Sequence, residues 1–171
     1  NGNKYSSGFY EDSKQVKNWI YFSPNGTDSS KMVYADGNPI LGSKVEWYAR
    51  GEKESEINYK NGQITGPVTY WYENGNKRFL ATYSDGKLNG KYIRWYQGGI
   101  IKEQDGDYIN NKKHNKWVFW GKNGQKSEEI NYNAGIQNGP QIKWFDDSSD
   151  QHKKFHKNFK NGEKDGVWHY W

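Results

Sequence analysis

Residues 66–90, GPVTYWYENGNKRFLATYSDGKLNG, contain one complete copy of a pattern that recurs along the chain at a period of about 24 residues. A glycine opens the copy, a Trp-Tyr pair and an Asn-Gly pair follow, and a tyrosine precedes a closing Asp-Gly pair. A short fixed period indicates supersecondary units that stack on their neighbours. The sequence therefore predicts a repeat array, an architecture that binds more often than it catalyses.

The repeat register runs through the chain, which we interpret as one array spanning residues 1–171. Residues 1–16 match the second half of a unit, and residues 166–171 match the start of one. Full copies open at Lys17, Gly42, Gly66, Gly90, Asn115 and Gly139. Because both ends lie within a repeat, we expect a longer parent array, with degenerate terminal caps as the alternative. The residues do not distinguish a cytoplasmic location from the cell envelope or secretion.

Composition favours a thin fold with little central core. Hydrophobic residues are only 32% of the chain, which alone would suggest disorder, but 18% of the residues are aromatic and regularly spaced. The absence of cysteine excludes disulfides and thiolate metal sites. The net charge of +5 arises from 25 basic and 20 acidic residues that are interleaved. Nucleic acid is therefore not an expected partner, because binding it requires a continuous cationic track.

Each unit is predicted to be a β-hairpin. The arm at 68–72 is β-branched and aromatic, as strands are. The Asn-Gly pairs at 25–26, 74–75 and 123–124 predict two-residue turns with positive φ at both residues. Further turns are predicted at 36–37, 61–62, 85–86 and 161–162. We expect an all-β fold, an elongated single-layer twisted antiparallel sheet of tandem hairpins with about fourteen strands.

Alternation along the strands predicts one repetitive face. Along each first arm a Trp column runs beside a β-branched column, and along each second arm a Tyr column includes Tyr34, Tyr59, Tyr83, Tyr108 and Tyr132. We assign these columns to one structural ladder, because cross-strand aromatic pairs each add about 0.2–1 kcal/mol. Its tryptophans are Trp47, Trp71, Trp95, Trp120 and Trp144.

The other side of the first arms is aromatic but varies from copy to copy. Recognition surfaces have reason to vary, and exposed aromatic residues with arginine are typical of interface centres. We therefore predict a partner-binding face formed by Trp19, Tyr21, Tyr48, Tyr70, Tyr72, Tyr92, Arg94, Tyr96, Trp117, Phe119 and Phe145. Two alternatives remain open: these rings brace a thin sheet, or the sheet curls the other way and the Trp ladder lines the groove.

No pattern indicates catalysis, a cofactor or a metal site. His152 and His156 are four residues apart, which on a strand separates them by about 13 Å. The acidic insertion in the sixth copy (Asp146, Asp147 and Asp150) lacks the spacing of a calcium loop. We therefore predict a protein that is not an enzyme.

The run GPVTYWYENGNK at 66–77, closing with YSDGKLNG at 83–90, resembles the MORN repeat variant of bacterial YwqK-type proteins. The resemblance covers essentially the whole chain. Departures are Lys17 and Asn115 at the opening glycine, Asn111 at a turn glycine, and the sixth-copy insertion. The resemblance implies a twisted antiparallel sheet with a groove along one face, and a scaffold for proteins or peptides. Because YwqK-type members are often labelled antitoxins, it also implies an immunity protein that sequesters a toxin.

The leading functional hypothesis is a non-catalytic scaffold that binds a protein or peptide, such as a toxin, through an aromatic groove. A carbohydrate or cell-wall module and a lipid-headgroup module are the alternatives. Exposed sheet edges also allow an edge-mediated homodimer.

Overall fold

The computed structural model describes residues 5–145 and 152–171, so the predicted acidic insertion lies outside the described residues. Consecutive strands pair antiparallel in chain order, and the described residues form no helix, which confirms the all-β class and the hairpin repeat. Among these residues there is accordingly no helix that could cross a membrane. The strands are β1 (Ser6–Glu11), β2 (Lys14–Phe22), β3 (Ser29–Ala35), β4 (Asn38–Trp47), β5 (Lys53–Lys60), β6 (Gln63–Trp71), β7 (Lys77–Ser84), β8 (Lys87–Trp95), β9 (Lys102–Ile109), β10 (Lys112–Trp120), β11 (Lys126–Asn133), β12 (Ile136–Trp144), β13 (Lys153–Lys160) and β14 (Glu163–Tyr170).

The strands form two compact units that divide between Lys87 and Leu88, at the start of β8. The first unit contains β1 to β7, and the second contains the rest of β8 and β9 to β14. Both units are built from the same hairpin.

Two kinds of turn alternate along the chain. At Asp85-Gly86 both central residues have positive φ (49° and 74°), which is the two-residue turn typical of tight hairpins. The Asn-Gly turn at 74–75 differs, because only Gly75 has positive φ. Its amide donates to the Tyr72 carbonyl at 2.9 Å, and the Tyr72 amide donates to the Asn76 carbonyl at 2.8 Å. The predicted two-residue geometry is therefore wrong at the Asn-Gly turns, where the strand ends at the tryptophan and a wider loop ends in a left-handed glycine.

The tight turns are joined to the preceding repeat by a backbone hydrogen bond. In the first unit the Gly62 amide donates to the Ile40 carbonyl at 3.0 Å, and the Gly86 amide donates to the Ile64 carbonyl at 2.9 Å. The second unit repeats the bond from Gly135 to Lys113 (2.7 Å) and from Gly162 to Gln137 (2.8 Å). These bonds satisfy turn amides that would otherwise need water, and they set one hairpin against the next.

Asn111, which replaces a turn glycine, preserves this bond. Its φ is 65°, and its amide donates to the Leu88 carbonyl at 2.9 Å. Its side-chain Oδ1 also accepts a hydrogen bond from the Leu88 amide at 2.6 Å. Asparagine tolerates the left-handed region better than other residues with a Cβ, so the substitution keeps the turn.

The residue that opens each copy has positive φ, and at Gly66 it lies inside a β-bulge. Between the pairs Ile57↔Val68 and Tyr59↔Ile64 the first arm contains extra residues, and Gly66 (φ 70°) lies among them. All the opening residues have positive φ: Lys17, Gly42, Gly66, Gly90, Asn115, Gly139 and Gly166. The departures Lys17 and Asn115 therefore keep the backbone geometry of the repeat.

Pairing register contradicts the single structural ladder. Directly opposed residues project to the same face, and Trp19 is opposite Met32 whereas Ile20 is opposite Lys31. Met32 and Tyr34 therefore share a face with Trp19. The second unit agrees, with Trp117 opposite Ile130 and Val118 opposite Glu129. The predicted alternation of side chains holds within each strand. The register between the two strands of a hairpin decides which column of the first strand shares a face with which column of the second.

We name the two faces by their columns. The tyrosine face carries Trp19, Tyr21, Tyr34, Tyr59 and Tyr70 in the first unit, and Tyr92, Arg94, Tyr108, Trp117, Phe119 and Tyr132 in the second. The tryptophan face carries Val45, Trp47, Glu56 and Trp71 in the first unit, and Ile93, Trp95, Asp105, Val118, Trp120, Glu129 and Trp144 in the second.

Two opening glycines of the first unit separate backbone strain from steric overlap. A Cβ on Gly66 would meet nothing within 4 Å, so Gly66→Ala should lower the free energy of unfolding by about 1–2 kcal/mol through left-handed strain alone. A Cβ on Gly42 would overlap the Lys31 carbonyl oxygen and lie 3.2 Å from the Met32 Cα, so Gly42→Ala should cost more. Urea denaturation followed by tryptophan fluorescence measures both. Equal losses in the two variants would contradict the difference in steric overlap between these two positions.

Candidate binding face

Trp117 is the buried residue at the centre of the aromatic cluster on the tyrosine face of the second unit. It is 0% exposed, and its Nε1 donates to the Asp107 carbonyl at 3.0 Å. The rings of Tyr92 and Tyr108 lie 5.5 and 5.1 Å from it. A Cβ on Gly106 would overlap the indole, so this glycine leaves the space that the ring occupies. Trp117 therefore fixes the positions of its neighbours.

Trp19 occupies the equivalent position in the first unit. It is 4% exposed, lies over Gly8, and donates from Nε1 to the Phe9 carbonyl at 3.1 Å. Met32 and Tyr34 complete this buried cluster. Trp19 and Trp117 were predicted as exposed partner contacts, and that exposure is wrong. The signal that could have revealed it is a glycine eleven residues earlier, at Gly8 and Gly106.

Four predicted site residues lie just beyond strand ends rather than on a strand face: Tyr48, Tyr72, Tyr96 and Phe145. Two of them link neighbouring repeats. The Tyr48 hydroxyl donates to the Trp71 carbonyl at 2.7 Å in the first unit, and the Tyr96 hydroxyl donates to the Trp120 carbonyl at 2.8 Å in the second. Burial raises the pKa of Tyr48 above its usual range. The prediction extended a two-residue period past the point where the strand ends.

Tyr21 and Tyr70 complete the tyrosine face of the first unit. Tyr21 accepts a hydrogen bond from Gln15 Nε2 at 2.8 Å and donates to the Tyr34 hydroxyl at 3.0 Å. Burial raises the pKa of Tyr34 well above its usual range. Tyr70 is half-buried against Phe79, whose ring centroid is 5.8 Å away. The first unit therefore presents rings in fixed positions.

Arg94, Lys113 and Phe119 form the more polar part of the tyrosine face in the second unit. Arg94 is 49% exposed in its side chain and pairs with Glu103 at 3.2 Å. The Lys113 Nζ lies 4.2 Å from the Trp117 ring and 5.2 Å from the Phe119 ring. Burial lowers the pKa of Lys113. Its cation is thus held against aromatic rings and partly withdrawn from water.

A second cation has the same surroundings near the C-terminal strands. The Lys157 Nζ lies 4.0 Å from the Phe155 ring, 4.9 Å from the Trp168 ring and 5.0 Å from the Tyr170 ring. A further cation, the Lys164 Nζ, lies 4.6 Å from the Trp168 ring. The second unit therefore has two places, at Lys113 and at Lys157, where several aromatic rings surround a lysine of the chain itself.

The tryptophan face carries repeated ion pairs. In the second unit Asp105 accepts from Lys102 at 2.6 Å and Lys91 at 2.8 Å, and its side chain is only 15% exposed. Burial opposes ionisation, but the hydrogen bonds from these lysines hold the pKa of Asp105 below its usual value. Glu129, with Lys126 at 2.7 Å and Lys116 at 3.4 Å, has a lowered pKa for the same reasons. At both positions a largely buried acid is balanced by two lysines, as in a structural layer.

Within residues 5–145 and 152–171, no group of three or more His, Asp or Glu side chains is arranged to hold a metal ion. The aspartates of the predicted insertion lie outside the described residues.

The ion pairs of the tryptophan face predict acid sensitivity. Because the pKa of Asp105 and Glu129 is lowered in the fold, the stabilisation is present above the ordinary carboxyl pKa of roughly 4 and is lost as pH falls below it. Glu129→Gln should cost about 1–3 kcal/mol at pH 7 and flatten the fall in stability between pH 5 and 3. Glu163→Gln, at the exposed start of β14 in the same unit, serves as the control. Urea midpoints across this pH range measure the effect, and an unchanged pH slope in Glu129→Gln would refute the assignment.

A scan of the chain against models of protein families finds no match, and a search of curated proteins finds none either.

Proposed function

We propose that the chain is a non-catalytic repeat scaffold that binds a protein or peptide through the tyrosine face. The observation that carries the proposal is the half-exposed ring of Phe119, held beside the buried Trp117, with Lys113 and Arg94 on the same face. Interface centres are enriched in aromatic residues and arginine. Rings already held in place lose little conformational entropy on binding, which favours affinity.

We also propose that the chain is a MORN repeat variant of the YwqK type. Support comes from the recurring opening residue with positive φ and from the alternation of two turn types, which give each copy the same backbone. On this proposal the partner is a toxin, and the chain acts as an immunity protein that covers it.

A carbohydrate or lipid-headgroup module is the alternative. The observation in its favour is the cage of three aromatic rings around Lys157, since aromatic cages also bind quaternary ammonium groups. Against it, the cation–ring contacts of the described part of the first unit each involve a single ring: Tyr70 receives Arg78 and Phe9 receives Lys17. A repeat protein that binds a small ligand in each copy would carry the same aromatic site in each copy.

The test is affinity capture with a matched pair of variants. The double variant Arg94→Ala/Phe119→Ala removes one cation and one ring from the tyrosine face of β8 and β10. The control Lys91→Ala/Val118→Ala removes one cation and one apolar side chain from the tryptophan face of the same strands. Both variants are first checked for a cooperative thermal transition. Bound proteins from a lysate of the source organism are then identified by mass spectrometry.

We expect a protein that the parent and the control retain and that Arg94→Ala/Phe119→Ala loses. Growth inhibition by that protein, relieved on co-expression of the chain, would support the immunity role. Equal retention by the two double variants would exclude the tyrosine face as the binding surface. Binding to glycans or phosphocholine vesicles, with no protein captured, would favour the alternative.

A further inference from the structure

Strand pairing in the second unit brings together two histidines that the sequence keeps apart. His156 of β13 is directly opposite His169 of β14. Directly opposed residues of an antiparallel pair project to the same face, with Cβ atoms about 4.5–5.5 Å apart. His152, although closer to His156 in sequence, is about 13 Å away along an extended chain. The pair lies on the tryptophan face, since His156 is also opposite Ile142.

Both histidines depart from what the other copies place at these two positions. The equivalent opposed pairs include Asp105↔Val118 and Glu129↔Ile142 in the second unit, and Glu56↔Thr69 and Ser7↔Ile20 in the first. In the first three of them an acidic residue is opposite a β-branched residue, and in the fourth a serine is. The acids pair with a lysine three residues earlier, Lys102, Lys126 and Lys53. Only at the last pair do both positions change, and both change to histidine.

One member of the pair is open to solvent and stacked on a neighbouring ring. His156 is half-buried, His169 is exposed, and the imidazole of His169 stacks on the Trp171 indole with centroids 5.9 Å apart and an interplanar angle of 30°. Stacking restricts the ring and leaves its nitrogens able to reach a ligand. Lys153, which corresponds to the lysines of the ion pairs, lies with its Nζ 6.0 Å from the Trp171 ring. Strand pairing therefore holds the two histidine backbones opposite each other, and the His169 imidazole is open to solvent.

We propose that His156 and His169 form a two-histidine site for a divalent transition-metal ion such as Zn²⁺ or Ni²⁺. Neutral imidazole is a preferred ligand of these ions, with metal–nitrogen distances of about 2.0–2.1 Å for zinc. Water completes the coordination, so the ion is exchangeable. Because the ligands belong to different strands, bound metal joins β14 to β13 and raises the stability of this end of the unit.

The test uses the untagged chain, because a histidine tag would bind the same ions. Isothermal titration with NiCl₂ and with ZnCl₂ at pH 7.5 should give one ion per chain. His156→Asn and His169→Asn should each weaken binding by about tenfold or more. His152→Asn is the matched control and should bind as the parent does.

A second measurement keeps the proposal testable if a variant loses structure. In the parent chain, substoichiometric Ni²⁺ should broaden the imidazole proton resonances of His156 and His169 before those of His114 and His152. Unchanged affinity in His156→Asn or His169→Asn, equal loss in His152→Asn, or uniform broadening of all four histidines would each overturn the site. So would the absence of binding by the parent chain.

Discussion

A backbone hydrogen bond from each tight turn to the repeat before it sets the geometry on which the other contacts depend. The bond from the Gly62 amide to the Ile40 carbonyl requires a turn whose two central residues both have positive φ. Asp, Asn and Gly accept that conformation at low cost, which is why they recur at these turns. Once the turn is fixed, the strands that follow have one register, and the period of the sequence becomes a period in space.

The two faces use this fixed frame for different purposes. On the tryptophan face of the second unit, Asp105 and Glu129 repeat the same pairing with lysines, so each copy stabilises the sheet in the same way. On the tyrosine face the residues change from copy to copy, and a buried Trp117 holds its neighbours in place. A face that is rigid and variable is suited to recognition, whereas a face that repeats is suited to stacking.

The sequence predicted the hairpins and their period because turn residues and alternation are local signals. It did not predict that Met32 and Trp19 share a face, because that depends on the register of two strands. Burial of Trp117 depends likewise on the absence of a side chain at Gly106, on another strand. The approach of His156 to His169 is a third case of cross-strand pairing. Local patterns specify elements, and pairing between elements specifies sites.

Amide hydrogen exchange tests the turn-to-repeat hydrogen bond most directly. We expect four turn amides to exchange as slowly as amides in the middle of the adjoining strands. They are those of Gly62 and Gly86 in the first unit, and of Gly135 and Gly162 in the second. Exchange of these four amides at the rate of an unstructured peptide, while the strands remain protected, would contradict it. In that case the hairpins would be held together by side chains alone.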